Sequence, residues 1–291
     1  MSESVIADFV GKFHAPNTPS GKPVAGRIVC SQRRLVLAAD SDNKLQIPLA
    51  SVVDLGVGTV PADLAEFFDS TVTIAFERAD RHRMAAVEAD TDDIRKFATV
   101  LFSAILNGTD VTVAHPARRG GWTTGEPFVG ARVRLERDAV RFAEADRPVR
   151  IPLQHVTNFD RDRREIRGRD RPVLVVGSVA DDEAVTSLVA ADSTRKLSLL
   201  GRFLRIEYGD HAADVRELDL PDEAHRALVV RYAAAGDPTL TLERVLDVDQ
   251  EAAGQIRTDL AELGLLEDAG RGTRLTYLGR IVVENFFDDV E

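Results

Sequence analysis

At 291 residues the chain is long enough for two or three domains, and its 44% apolar and 29% charged residues describe a soluble globular protein, not a disordered one. A formal net charge of −11 argues against a dedicated nucleic-acid binder, which needs clustered positive charge. The single cysteine, Cys30, excludes an internal disulfide framework and any multi-cysteine metal site, and fits a reducing cytoplasm.

No apolar run approaches the roughly 18 residues of a membrane span, so no membrane insertion is expected. The start MSESVIADFVGKF lacks the basic and sustained apolar regions of a secretory signal. Cations are supplied by 32 Arg and only 5 Lys. Abundant acids with scarce lysine suit a cytosol of very high salt, and a halophilic source is expected. Strong salt screens exposed charges over about 3 Å at 1 M, which makes surface charge a weak guide to function here.

From residue 26 the chain shows an internal repeat. Residues 26–55 align without a gap on residues 130–159, with 10 identities in 30 positions, where unrelated sequences share about two. The matched positions include Gly26 and Gly130, Arg33 and Arg137, and the tripeptides Ile47-Pro48-Leu49 and Ile151-Pro152-Leu153. GRIVCSQRRLVLA and GARVRLERDAVRFA each read as two short strands joined by a tight polar turn. Leu45, Ile47 and Leu49, like Val149, Ile151 and Leu153, then alternate at period two, the pattern of a half-buried strand. A proline there cannot donate to a ladder, so an edge strand or a solvent-facing position is expected. STVTIAFERADRHRMAAVEA and RPVLVVGSVADDEAVTSLVAA add further strands, the latter reversing at its charged residues.

Each copy closes with a helix. Ile94, Phe97, Ala98, Leu101, Phe102 and Ile105 recur at steps of three and four, with Asp90 or Thr91 as cap and Gly108 past the end. The second copy repeats this with Leu197, Leu200, Phe203 and Leu204, a Ser/Thr start and Gly209, and its entry Arg195-Lys196-Leu197 parallels Arg95-Lys96-Phe97. Strands followed by one covering helix, twice, fit pleckstrin-homology-like β-barrel or sandwich domains over 1–110 and 128–210. A single split β-sandwich is the alternative. AHPARRGGWTTGEP lies between the copies, so 111–127 reads as a linker, and 211–221 as a second one.

Residues 222–291 change character. DEAHRALVVRYAAAG is an amphipathic helix, Thr241 caps a short helix, and Asp249 or Gln250 opens another with Ala252, Ala253, Ile256, Leu260 and Leu263 inward. Gly264 ends it, and LLED-AGRG-TRLT is a hairpin, the order of a winged helix-turn-helix. The fold class is therefore α+β: two pleckstrin-like modules followed by a winged helix.

A winged helix invites a DNA reading, but the helix at 249–263 carries four acids against one arginine, and residues 222–291 hold 15 acidic and 7 basic side chains. A protein-docking winged helix is the better reading, with Gln255 and Arg257 on its helix, Arg271 and Arg274 on its wing, and Phe286 and Phe287 at its end as contact residues. The run DRDRREIRGRDR at 160–171 carries six arginines among four acids and is a solvated strand–loop–strand connection or a docking surface through Arg163, Arg164 and Arg167. Its alternating acids disfavour a phosphoinositide pocket. Gly56-Val57-Gly58 lacks the third glycine and helix start of a dinucleotide fingerprint and is a turn. The six histidines show no ligand spacing, Cys30 packs as a small apolar residue, and no nucleophile–base arrangement assembles. Neither an enzyme nor a bound cofactor or metal is expected.

The segments GRIVCSQRRLVLA and IPLASVVDLGVG, their degenerate second copy and the terminal winged helix together resemble the archaeal taxis protein family CheF. That resemblance covers the whole chain and implies an adaptor. It would bind the phosphorylated response regulator CheY, the CheC and CheD proteins and cytoplasmic subunits of the archaellum motor; separately, the apolar stripe of Ile281, Val282 and Phe286 packs on its own domain or on a second copy of the chain. The family has no motif-defined catalytic residues to carry over. The rival reading is a transcription regulator with a sensory tandem-β half.

Overall fold

The computed structural model describes residues 4–16, 18, 21–88, 91–143, 147–180, 183–216, 218, 220–234, 241–268, 273–276, 278–280 and 282–283. The first copy comprises β1 (Val5–His14), β2 (Val24–Ser31), β3 (Arg34–Ala38), β4 (Lys44–Pro48), β5 (Val52–Val57), β6 (Val72–Arg78) and β7 (Arg81–Glu88), followed by α1 (Thr91–Leu106). These strands form one antiparallel sheet in the order β4-β3-β2-β1-β7-β6-β5. The second copy repeats the plan with β8 (Asp110–Arg119), the short β9 (Trp122–Thr123), β10 (Val129–Leu135), β11 (Ala139–Ala143), β12 (Val149–Pro152), β13 (Val156–Ile166), β14 (Arg169–Ala180), β15 (Glu183–Ala191) and α2 (Thr194–Arg216). Its order is β12-β11-β10-β8-β15-β14-β13, with β9 paired to β8.

The Ile-Pro-Leu tripeptides explain how each sheet bends. β4 and β5 stand at opposite ends of the strand order, yet only the turn Leu49–Ser51 joins them; Leu153–His155 does the same between β12 and β13. A three-residue connection reaches about 10 Å, so the sheet must curl until its two edges meet at that corner. Leu49 and Leu153 are buried as the corner's anchors, and each accepts a bond from the first backbone N–H of the next strand. Pro48 sits on the edge strand β4 opposite Arg34, where its missing N–H costs no ladder bond. Neither sheet is a closed barrel, because the end strands meet only through this corner and are not paired.

Several expectations change. Residues 111–127 are not simply a linker: β8 and β9 occupy much of the stretch, and β8 lies in the middle of the second sheet between β10 and β15. Val111 and Val113 alternate inward as a strand requires, and the later Pro and Gly residues disguised this. Opposite β8 the register of β15 shifts between Thr186 and Leu188, which accommodates Pro116. Gly209 does not end its helix either. α2 runs on to Arg216, since a lone glycine costs a helix about 1 kcal/mol and alanines follow it. The Arg-Lys match at the helix entries is not a structural equivalence. Arg95 is the fifth residue of α1 and Arg195 the second of α2, whereas Ile94, Phe97 and Leu101 fall at the same steps as Leu197, Leu200 and Leu204. Gly56 and Val57 belong to β5, and only Gly58 turns, at φ 80°. The reversal at Asp181-Asp182 and the cap at Asp90 lie outside the described residues, although Ala180 does pair with Glu183 across the first of these.

The end of the chain forms α3 (Asp222–Ala234), α4 (Leu242–Leu246), α5 (Gln250–Glu262) and the hairpin β16 (Leu266–Asp268) with β17 (Thr273–Leu275). Asp249 caps α5 by accepting from the Ala252 N–H at 2.8 Å, and Gly264, at φ 70°, follows its end. Thr241 holds the cap position of α4 without a side-chain cap bond. Of the five residues expected on the inner face of α5, Ala253 and Leu260 are buried and Ile256 half-buried, while Ala252 and Leu263 face solvent. The protein is thus α+β, with mostly antiparallel sheets and few helices.

Two main cores result. One runs continuously through both copies, from Phe13 to Leu204, with α1 and α2 in contact across it. The other, from Leu220 to Val283, belongs to the terminal unit.

Candidate docking surfaces

The arginine run folds as the hairpin of β13 and β14. Arg167 and Gly168 are its two-residue turn, both at positive φ (53° and 73°), as a tight hairpin demands. Three of its six arginines are paired locally. Arg163 donates to Asp170 at 2.7 Å across the strands, Arg164 pairs with Asp162 at 2.6 Å, and Arg171 pairs with Asp192 at 2.7 Å. Asp160 and Asp162 also accept from the backbone N–H of the residue that follows each. Such exposed pairs add little stability individually, and they leave a surface of alternating sign, not a basic one.

Strand geometry then sorts the run by face. Phe159 and Arg161 point toward α2, where Arg205 lies 5.3 Å from the Phe159 ring. Asp162 and Arg164 face a second hollow with Thr123 and Glu126, beyond β8. Sequence reasoning missed the first of these assemblies. Its signal was there: Ser198, Gly201, Arg202 and Arg205 are spaced i, i+3, i+4, i+7, one polar face beside the apolar stripe of Leu197, Leu200 and Leu204.

On the terminal unit the expected contact residues are engaged with neighbours. Gln255 donates to Asp259 at 2.7 Å along α5, Arg257 bonds Glu243 of α4 at 3.0 Å, and Arg274 bonds Glu267 across the hairpin at 2.8 Å. The Glu243 carboxyl is held below its usual range, first by its own backbone N–H and further by Arg257. Arg257, half-buried, therefore ties α5 to α4. Gly254, Arg257, Thr258, Ala261 and Glu262 of α5 line a shallow groove with Glu267 and Thr273 of the hairpin. Arg271, Phe286 and Phe287 lie outside the described residues. Arg163, Arg164 and Arg167 on one hairpin and Gln255, Arg257 and Arg274 on the terminal unit belong to different cores and form no single site.

Cys30 is fully buried in β2, and burial pushes its thiol up to about 11, so it stays protonated. His115 of β8 hydrogen-bonds the buried Ser187 hydroxyl of β15 at 2.8 Å. Among the described residues no three His, Cys, Asp or Glu side chains gather as a metal site, and no helix is long and apolar enough to cross a membrane.

The chain thus comprises two sheet-and-helix copies and a terminal unit of helices and a hairpin, with ion pairs across their polar faces. Over residues 5–210, both sheets and most of α2, the chain matches the family described as Archaeal Chemotaxis signal transduction system protein F, and it belongs to that family. It is 38% identical over 290 residues to Taxis protein CheF2 of Halobacterium salinarum, covering 100% of this chain and 99% of that relative. To Taxis protein CheF1 of the same organism it is 27% identical over 286 residues, 94% of this chain and 93% of the other. These relatives come from a halophilic archaeon, and they are named as taxis proteins, not as enzymes.

Proposed function

We propose that the chain is the adaptor of an archaeal taxis system. It recognises the phosphorylated response regulator CheY, engages the CheC and CheD proteins, and passes the signal to cytoplasmic subunits of the archaellum motor. The observation that carries this reading is full-length similarity to a protein named for taxis, since the terminal unit is retained together with both copies. In this reading the two sheets are pleckstrin-homology-like modules. Their matching strand order, β9 aside, with a helix after the last strand of each sheet, supports it. The terminal unit is a winged helix used for protein docking, supported by the order α3-α4-α5-β16-β17 and by the pairing of Arg257 and Arg274 with acids.

Specificity for phosphorylated CheY arises in the regulator, whose acceptor-site change reshapes a surface that the adaptor senses. Gln255, Arg271, Arg274, Phe286 and Phe287 are the contact residues proposed for the terminal unit. The family and both relatives lend nothing to the transcription-regulator alternative.

The test is affinity capture by the full chain from a native lysate at high salt, with partners identified by mass. CheY, CheC, CheD and motor subunits are expected. Their absence from the captured set, with specific DNA retained instead, overturns the reading.

A further inference from the structure

Where β5 of the first copy meets α2 and β13 of the second, an open cleft of about 540 Å³ is lined by Asp54, Phe159, Arg161, Ser198, Arg202 and Arg205. The helix presents Ser198, Gly201, Arg202 and Arg205 on one face, and the strand presents Phe159 and Arg161 opposite. Arg202 spends Nε and Nη2 on Asp54, at 3.4 and 2.9 Å, which leaves its remaining donors for the cleft. Arg161 and Arg205 have no carboxylate partner among the described residues, whereas Arg163, Arg164 and Arg171 of the hairpin do. Of the two acids that flank Arg161 in sequence, Asp162 pairs with Arg164, and Asp160 has one oxygen turned back on its own strand, where it accepts the Arg161 backbone N–H at 2.6 Å. Three guanidinium groups against Asp54 and Asp160 leave a local positive charge on a molecule of net charge −11.

Gly201 supplies a second, independent observation. A Cβ there would lie 3.4 Å from Leu174 Cδ1 and 3.7 Å from Arg161 Nη2, ordinary contact distances. Packing does not require the glycine, yet it costs the helix interior about 1 kcal/mol relative to alanine. What its smallness does is leave the floor open beneath the Arg161 guanidinium. The first copy lacks all of this. Counted from the start of each helix, α1 has Arg95, Ala98, Thr99 and the buried Phe102 where α2 has Ser198, Gly201, Arg202 and Arg205. The duplicated helix has thus diverged toward an open floor and paired arginines in one copy only.

We infer that this cleft binds a phosphate-type oxyanion, either free phosphate or the phosphoryl group of a small phosphomonoester. Arginine forks match that geometry and hold it bidentately, and the Ser198 hydroxyl adds a neutral donor. The inference does not depend on the adaptor reading.

It is tested by calorimetric titration of the full chain with inorganic phosphate and, separately, with AMP, in KCl at the lowest concentration that keeps the fold. Saturable binding of one anion per chain is expected. Equal affinity for both probes marks a free-anion site, and AMP binding tighter by about tenfold marks a phosphomonoester site. Arg161→Gln with Arg205→Gln should weaken binding at least about tenfold, whereas Arg163→Gln on the same strand should leave it unchanged. Gly201→Glu, which sets a carboxylate under Arg161, should abolish binding, with circular dichroism showing that the variant is folded. No saturable binding of either probe, or unchanged affinity in both the double variant and Gly201→Glu, overturns the proposal.

Discussion

Gly26 and Gly130 occupy the same step of the repeat, yet they answer to different constraints. A Cβ on Gly26 would fall 2.3 Å from the Ala38 carbonyl oxygen and 2.8 Å from the Phe13 ring, because β1, β2 and β3 close tightly around it. At Gly130 nothing lies within 4 Å. Gly26→Ala should therefore destabilise the fold by about 1–3 kcal/mol, and Gly130→Ala should stay within about 0.5 kcal/mol of the parent, both read by denaturant unfolding. Equal effects would contradict this account of the first sheet. The identity that helps reveal the duplication is thus a packing requirement in one copy and an inherited residue in the other. No sequence pattern distinguishes them, since the difference lies in how closely the two neighbouring strands approach.

At the scale of elements, the strand pairing of β8 with β15 carries a titratable link. Burial, with Arg119 close by, holds the His115 imidazole below its ordinary 6.5, and the ring meets the Ser187 hydroxyl. The unfolded chain takes up a proton near pH 6.5 that the folded chain resists. Stability is therefore flat above that pH and falls as pH drops below it, and His115→Gln should remove that part of the slope. Thermal unfolding of parent and variant between pH 5 and 8 checks it, and parallel curves would contradict it.

The same strand shows where sequence reading stops. The Ile-Pro-Leu segments, the two helical stripes, the Asp249 cap and the Gly264 end were all legible, because each is written in local spacing or one special residue. β1 and β8 were not, because Gly11 and His115-Pro116 interrupt their alternation and only the neighbouring strands establish them. The face shared by Ser198, Gly201, Arg202 and Arg205 had a readable period, but its meaning needed β13 opposite it.

For the whole molecule, the two copies behave as one body. Phe102 of α1 and Phe203 of α2 meet with ring centroids 5.5 Å apart, Arg202 pairs with Asp54, and Arg195 donates to the Ala50 carbonyl at 2.6 Å. Lys196 reaches the Ile105 carbonyl from a position where burial, with Arg195 beside it, lowers its pKa. Both copies should unfold in one transition. Amide-exchange protection of the first sheet and of the second should then be lost at the same denaturant concentration. Phe203→Ala should shift both signals together by about 3–5 kcal/mol, and separate transitions would contradict the shared core.

A double body with one shared core and a terminal unit with its own suits a protein that holds one partner while presenting surface to another, in keeping with the adaptor reading that the similarity to a taxis protein carries. Its most direct test is a paired titration of the full chain with purified CheY, phosphorylated and unphosphorylated, at the same high salt. The account predicts binding to both forms with phosphorylation tightening it by about tenfold or more, a coupling of at least about 1.4 kcal/mol. Absence of binding, or equal affinity for the two forms, would contradict it.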